Sequence, residues 1–221
     1  MGGSAPRSGA DRRVHAGGAG TGKTALATYL STHLKFPFVK VVDFFAVMGK
    51  HESAAADVLK KAFDDASKSP LSALILDDVA KLLQYARHGP RYSLLLLHTL
   101  QSLLKQRPPE GKRMVIIATA DPSVTRTLDL RDSFGCVLRM SSLTRDEAAA
   151  AMSSSGMVSD PELLRAAVAK LPPAATFDAS IRSLTFSLLK SSPGGSLDLR
   201  AWEQWVPHFE MSPVDDELQH L

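Results

Sequence analysis

The chain has 221 residues, 44% of them apolar, a formal charge of +3 and a single cysteine, Cys136. That length allows one large or two small domains with a buried core, and the composition is that of an ordinary soluble globular protein. One cysteine excludes an internal disulfide and points to a reducing, cytoplasmic setting, while apolar runs as short as Leu94 to Leu97 exclude direct membrane insertion by a helix.

The charge excess is weak evidence about partners. Much of it sits in Arg7, Arg12 and Arg13, and no Lys/Arg cluster interleaved with aromatics appears elsewhere, so nucleic-acid binding is not expected. The histidines show no metal-ligand spacing, which argues against a metal held by protein ligands alone.

Residues 1–16 are rich in Gly, Ser, Ala and Arg and read as a disordered or truncated lead-in. The run Gly17-Gly18-Ala19-Gly20-Thr21-Gly22-Lys23-Thr24 then matches G-x-x-x-x-G-K-[ST]. Glycines at these places let consecutive backbone N–H groups turn toward a triphosphate. Lys23 reaches the β- and γ-phosphates, and the Thr24 hydroxyl can ligate Mg²⁺. A helix over 24–34 would aim its positive end at the same anion.

Helices and apolar runs alternate from there. The run 38–42 follows the first helix, a helical stretch 51–67 precedes the run 73–76, and a helix over 93–106 stops at Pro108-Pro109 before the run 114–118. A shorter run at 136–140 closes the series. Apolar runs of this length between helices predict a parallel sheet covered on both faces, an α/β class of fold. After residue 142 the strand signal ends. Stretches 144–152, 161–171, 179–190 and 197–205 have helical periodicity between Ser/Gly/Pro breakers, which predicts a small all-helical subdomain. Trp202 and Trp205 are expected to staple its last helix to the others. The divisions are therefore 1–16, a core over 17–142, a helical lid over 143–210, and a frayed acidic tail over 211–221.

The run Leu74-Ile75-Leu76 ends in Asp77-Asp78. Two carboxylates at the tip of an apolar strand, following a complete phosphate loop, suit nucleotide hydrolysis: Asp77 would hold Mg²⁺ and Asp78 would orient or activate the attacking water.

Residues 17 to about 152 resemble the AAA+ ATPases, and more closely the second ATPase module of the N-ethylmaleimide-sensitive fusion ATPases. The segments that carry this are GKTALA (22–27), FPFVKV (36–41), KKAFDDASKSPLS (60–72), LDDVAKLLQY (76–85), GPRYS (89–93) and LLKQRPPEGKRMVIIAT (103–119). Most of their length lies outside the generic nucleotide motifs. The resemblance implies the AAA+ form of the phosphate-loop fold with its helical lid, ATP and Mg²⁺ as ligands, and a homo-hexameric ring with nucleotide between neighbours. It also implies a SNAP adaptor and a SNARE complex as partners in vesicle fusion. In that family the second module mainly holds the ring together.

The resemblance also shows departures. Position 78 is Asp where strongly hydrolysing modules carry Glu, which puts the carboxylate about 1 Å short, a displacement that can cost roughly 10²-fold in rate. The γ-phosphate-sensing position, usually Asn, aligns with Asp121. The neighbour's arginine falls near Ser133, with Arg131 two residues away. Arg182 aligns with the basic sensor of the lid, and Lys112 or Arg113 is a candidate for the adjacent subunit's nucleotide. The loop Val47-Met48-Gly49 has Val where polypeptide-threading rings carry an aromatic. A module that holds ATP and turns it over slowly fits this set, against three alternatives: a fully active remodeller, a small-molecule kinase, or an inert fragment. The segment 10–16, with Asp11, Arg12 and Arg13, is poorly suited to a central buried strand. Either the first strand is truncated and solvated, or its true sequence is missing.

Overall fold

The computed structural model describes residues 11–86, 91–158, 160–174, 177–193 and 195–209. The expected disordered residues 1–10, the frayed tail and part of the GPRYS segment fall outside them. Contacts divide the chain into two units, one built from residues up to Gly17 and Lys23–Met140, the other from Gly18–Gly22 and Ser141 onward.

The first unit is the α/β layer. Its elements run β1 (Asp11–Gly17), α1 (Lys23–His33), β2 (Phe38–Val42), α2 (Phe44–Val47), α3 (Glu52–Lys68), β3 (Leu71–Leu76), α4 (Val79–Leu82), α5 (Leu94–Lys105), β4 (Arg113–Ala120), α6 (Pro122–Thr127) and β5 (Cys136–Met140). The strands pair in parallel in the order β2-β3-β4-β1-β5. Parallel strands need crossovers, and the alternation of apolar runs with amphipathic helices supplies them. Side chains of β3 and β4 alternate between two helix layers. Leu74, Leu76, Ile116 and Ala118 meet Leu59 and Phe63 of α3 and Leu96, Leu100 and Leu104 of α5. Ile75 and Ile117 meet Ala27 of α1 on the opposite face. The Leu94–Leu97 run splits the same way, its first two residues exposed and its last two buried.

The first strand corrects the expectation for the lead-in. Residues 11–16 are not a disordered approach; with Gly17 they form β1, paired on one side with β4 and on the other with β5. The charges are tolerated because they occupy the outer end. Asp11 and Arg13 are exposed and joined by a 2.7 Å ion pair, whereas Val14, His15 and Ala16 are buried. Within β1 the charged half reaches solvent and the other half, Val14 to Gly17, fills the sheet.

The second unit holds α7 (Arg145–Ser154), α8 (Pro161–Lys170), α9 (Ile181–Lys190) and α10 (Leu199–Glu203). Each start is written in the sequence. Thr144 and Glu147 form a reciprocal capping box, and Asp160, Ser180 and Asp198 cap the other three helices. Met152, Phe177, Leu184, Leu188, Trp202 and Phe209 form the core. Trp202 is fully buried and its indole N–H donates to the Ala167 carbonyl at 3.1 Å, so the polar end of the ring is satisfied. Trp205 instead meets Phe186 edge-on. The division falls after Met140 rather than after residue 142, and residues 18–22 group with the helical unit rather than the core. Two contacts account for the latter: the Arg182 N–H donates to the Gly20 carbonyl at 3.1 Å, and a Cβ placed on Gly20 would lie 2.8 Å from the Ser180 hydroxyl oxygen.

Candidate functional site

The loop after β1 has backbone geometry that only glycine adopts cheaply at two positions. Gly20 and Gly22 have φ of 81° and 90°, in the left-handed region. Alternating such residues with right-handed ones turns successive N–H groups to one side, the concave arrangement that suits an anion. The Thr21 hydroxyl donates to the Gly18 carbonyl at 3.0 Å, and Lys23 Nζ donates to the Gly17 carbonyl at 2.6 Å. The lysine is thus folded along the loop that Gly17, Gly18, Ala19, Gly20, Thr21 and Gly22 trace.

Thr24, in the first turn of α1, donates its hydroxyl proton to Asp77 Oδ1 at 2.6 Å. Asp77 follows β3 directly, with its N–H bonded to the Val42 carbonyl at 2.9 Å. Thr24 and Asp77 therefore converge although distant in sequence. A hydroxyl beside a carboxylate is an all-oxygen donor set, which fits Mg²⁺; this ion usually takes one or two protein oxygens and completes its shell with water and substrate phosphates. Among the described residues no group of three or more His, Cys, Asp or Glu side chains forms a metal cluster.

The other sequence-derived residues have different settings. Asp78 is left-handed, at φ 53°. Its carboxylate lies over α4, 3.4 Å from the Lys81 N–H that it caps and 2.8 Å from Lys81 Nζ. Asp121 caps α6 by accepting the Ser123 N–H at 2.9 Å and the Ser123 hydroxyl at 2.7 Å. Neither carboxylate belongs to the Thr24–Asp77 pair. Arg182 is exposed near the start of α9, in the second unit. Lys112 donates to the Lys68 carbonyl, and Arg113 opens β4. Lys112 precedes and Arg113 begins the strand whose far end meets Asp77, which at about 3.3 Å per residue is roughly 20 Å away. The side chain of Arg131 lies outside the described residues. Val47 is buried, so it cannot grip a polypeptide; Phe45, 76% exposed, and Met48 are the apolar side chains that segment presents.

Two residues went unnoticed in the sequence. Thr119, 2% exposed, donates its hydroxyl to Asp77 Oδ1 at 2.7 Å and accepts the Asp78 N–H at 2.8 Å. His15, 1% exposed, is its register partner on β1. Leu76 pairs with Ala118, so the next step brings Asp77 level with Thr119 and makes one row across three strands. Burial holds the His15 imidazole below its usual pKa, against a backbone hydrogen bond with Lys23, and its Nδ1 has no hydrogen-bond partner. The available signal was a polar residue inside each of two otherwise apolar buried runs.

Residues 14–141, more than half of the chain, match the family model for the ATPase family associated with various cellular activities, AAA. The chain belongs to the AAA ATPase family. This AAA domain is similar to a Caenorhabditis elegans protein named vesicle-fusing ATPase, with 45% identity over 132 residues, covering 59% of this chain and 16% of the relative. It is also similar to an Arabidopsis thaliana protein of the same name, with 34% identity over 154 residues, 69% of this chain and 21% of the relative. The Saccharomyces cerevisiae vesicular-fusion protein SEC18 matches at 34% identity over 146 residues, 65% of this chain and 19% of that protein. The matches thus span about one fifth or less of these relatives' lengths. Among the described residues of the AAA domain, no helix is long and apolar enough to cross a membrane.

Proposed function

We propose that this AAA domain binds MgATP and acts as the ring-supporting, slowly hydrolysing module of a hexameric vesicle-fusing ATPase. The observation that carries this reading is the 2.6 Å bond between Thr24 and Asp77, which brings the hydroxyl at the start of α1 and the strand-end acid to one oxygen-rich point. Lys23 and the loop amides would hold the phosphates, the Thr24 hydroxyl and Asp77 carboxylate would hold Mg²⁺, and that ion would supply neutralisation of phosphate charge. Arg182 is the lid's contribution to the γ-phosphate.

The contacts of the remaining carboxylates support slow turnover. Asp78 is a cap paired with Lys81, and Asp121 is a cap bonded twice to Ser123. Each would have to leave its helix before it could orient water. The names of the relatives support work in vesicle fusion; the resemblance of the sequence motifs adds SNARE complexes delivered by a SNAP adaptor, at the cytoplasmic side of membranes, as the proposed cargo.

Analytical ultracentrifugation with and without MgATP, run beside a phosphate-release assay, tests the proposal. MgATP-dependent hexamers with little phosphate release are expected. Brisk release abolished by Asp78→Ala would favour an active remodeller, and a monomer indifferent to ATP would overturn both.

A further inference from the structure

The tip of β3 carries an arrangement that sequence motifs do not describe. A hydroxyl has one proton. Thr119 Oγ1 spends its proton on the Asp77 carboxylate, so the Asp78 N–H at 2.8 Å must be the donor of the second bond and the hydroxyl its acceptor. The direction of both bonds is fixed. At 2% exposure water cannot replace either partner. The same Oδ1 atom also receives the Thr24 proton.

We propose that Thr119 is a positioning residue for the metal site: it aims the Asp77 carboxylate and anchors the left-handed backbone of Asp78. Thr24 keeps its hydroxyl lone pairs for a metal while its proton goes to Oδ1, whereas Thr119 is committed to protein partners through both its proton and a lone pair. Thr119 sits on β4, between the strand of the phosphate loop and the strand of the acids, so it fixes Asp77 relative to both. The N–H bond has a separate role. Asp78 at φ 53° is costly for a residue with a Cβ, and the hydroxyl holds the amide of that residue in place. Groups that orient ligating carboxylates typically change metal affinity 10–100-fold when removed.

This inference rests on the MgATP reading, and its test has an arm that does not. In the full chain, hydrogen exchange of the Asp78 amide is compared for wild type, Thr119→Val, Thr119→Ala and Thr119→Ser. The Asp78 amide is expected to be protected in wild type and Thr119→Ser, and unprotected in the two hydroxyl-free variants. The alanine variant removes the hydroxyl without adding bulk. A rapidly exchanging Asp78 amide in the wild-type protein overturns the proposal with no variant needed.

The second arm measures retention of a fluorescent ATP analogue across a Mg²⁺ titration. Thr119→Val and Thr119→Ala are expected to need about 10–100-fold more Mg²⁺ while binding the Mg²⁺-free nucleotide like wild type, and Thr119→Ser should restore the wild-type midpoint. An unchanged midpoint, or an equal loss with and without Mg²⁺, overturns the positioning role. Failure of the wild-type protein to bind nucleotide defeats the MgATP reading instead, and the exchange arm still decides the case of Thr119.

Discussion

Thr24 and Asp77 stand 53 residues apart in the chain and 2.6 Å apart in space, hydroxyl to carboxylate. The pair proposed to hold Mg²⁺ is thereby assembled from the first turn of α1 and the tip of β3, two places from β1 in the sheet. Asp77→Asn removes the charge and keeps the shape. It should weaken nucleotide binding by at least about tenfold in the presence of Mg²⁺ and by much less in EDTA, since loss of the ligand acts through the cation. Calorimetry in both buffers reads this out; equal affinities for the variant and wild type in Mg²⁺ would remove Asp77 from the site.

Asp78 offers a sharp comparison. Asparagine caps helices as well as aspartate does and is at home in the left-handed region, but it cannot serve as a base. Asp78→Asn should leave the melting temperature unchanged and the slow phosphate release within about twofold of wild type. Asp78→Ala, which forfeits the cap, should lose about 1 kcal/mol in a denaturant titration. A large drop in phosphate release for the asparagine variant would restore Asp78 as the water-activating group.

Gly20→Ala should be poorly tolerated. Its φ of 81° disfavours any Cβ, and that Cβ would stand 2.8 Å from the Ser180 hydroxyl oxygen and 3.1 Å from Arg182 Cβ. A loss of about 1–2 kcal/mol in stability, together with loss of nucleotide retention in a filter assay, is expected. Normal retention would show that the loop can relax around an added methyl.

His15 gives the fold a pH dependence of known sign. Burial lowers its folded-state pKa, so below pH about 6.5 the unfolded chain takes up a proton that the folded chain resists. The stability attributable to keeping His15 neutral is complete above that pH and declines as the pH falls toward the folded-state value. His15→Leu should flatten this part of the curve relative to wild type in urea titrations from pH 7.5 to 5. Parallel curves for the two proteins would contradict a buried, neutral imidazole.

The sheet was legible because each strand of the series after the phosphate loop is a short apolar run bounded by breakers, and the helices announce themselves by caps such as Ser93 and the Thr144–Glu147 box. The phosphate loop and Asp77 were legible because their chemistry needs fixed residue types at fixed spacing. Strand β1 was not. Three charged residues in seven outweigh one valine in any hydrophobic pattern, and only register shows that Asp11 and Arg13 lie where the strand meets solvent. The capping contacts of Asp78 and Asp121 were not legible for a related reason: a carboxylate at a strand end has the same signature whether it faces a phosphate, the next helix or both in turn. Thr119 was invisible because its value lies in two partners more than forty residues away.

The strand order β2-β3-β4-β1-β5 has a consequence for biogenesis. Among the described strands, β4 alone neighbours both β1 and β3, so the sheet joining the loop's strand to the acid's strand closes only once the chain has been made as far as Ala120. A nascent chain arrested before that point carries Thr24 and Asp77 but lacks the strand that sets their register, and only the packing of α1 on β3 is available to bring them together.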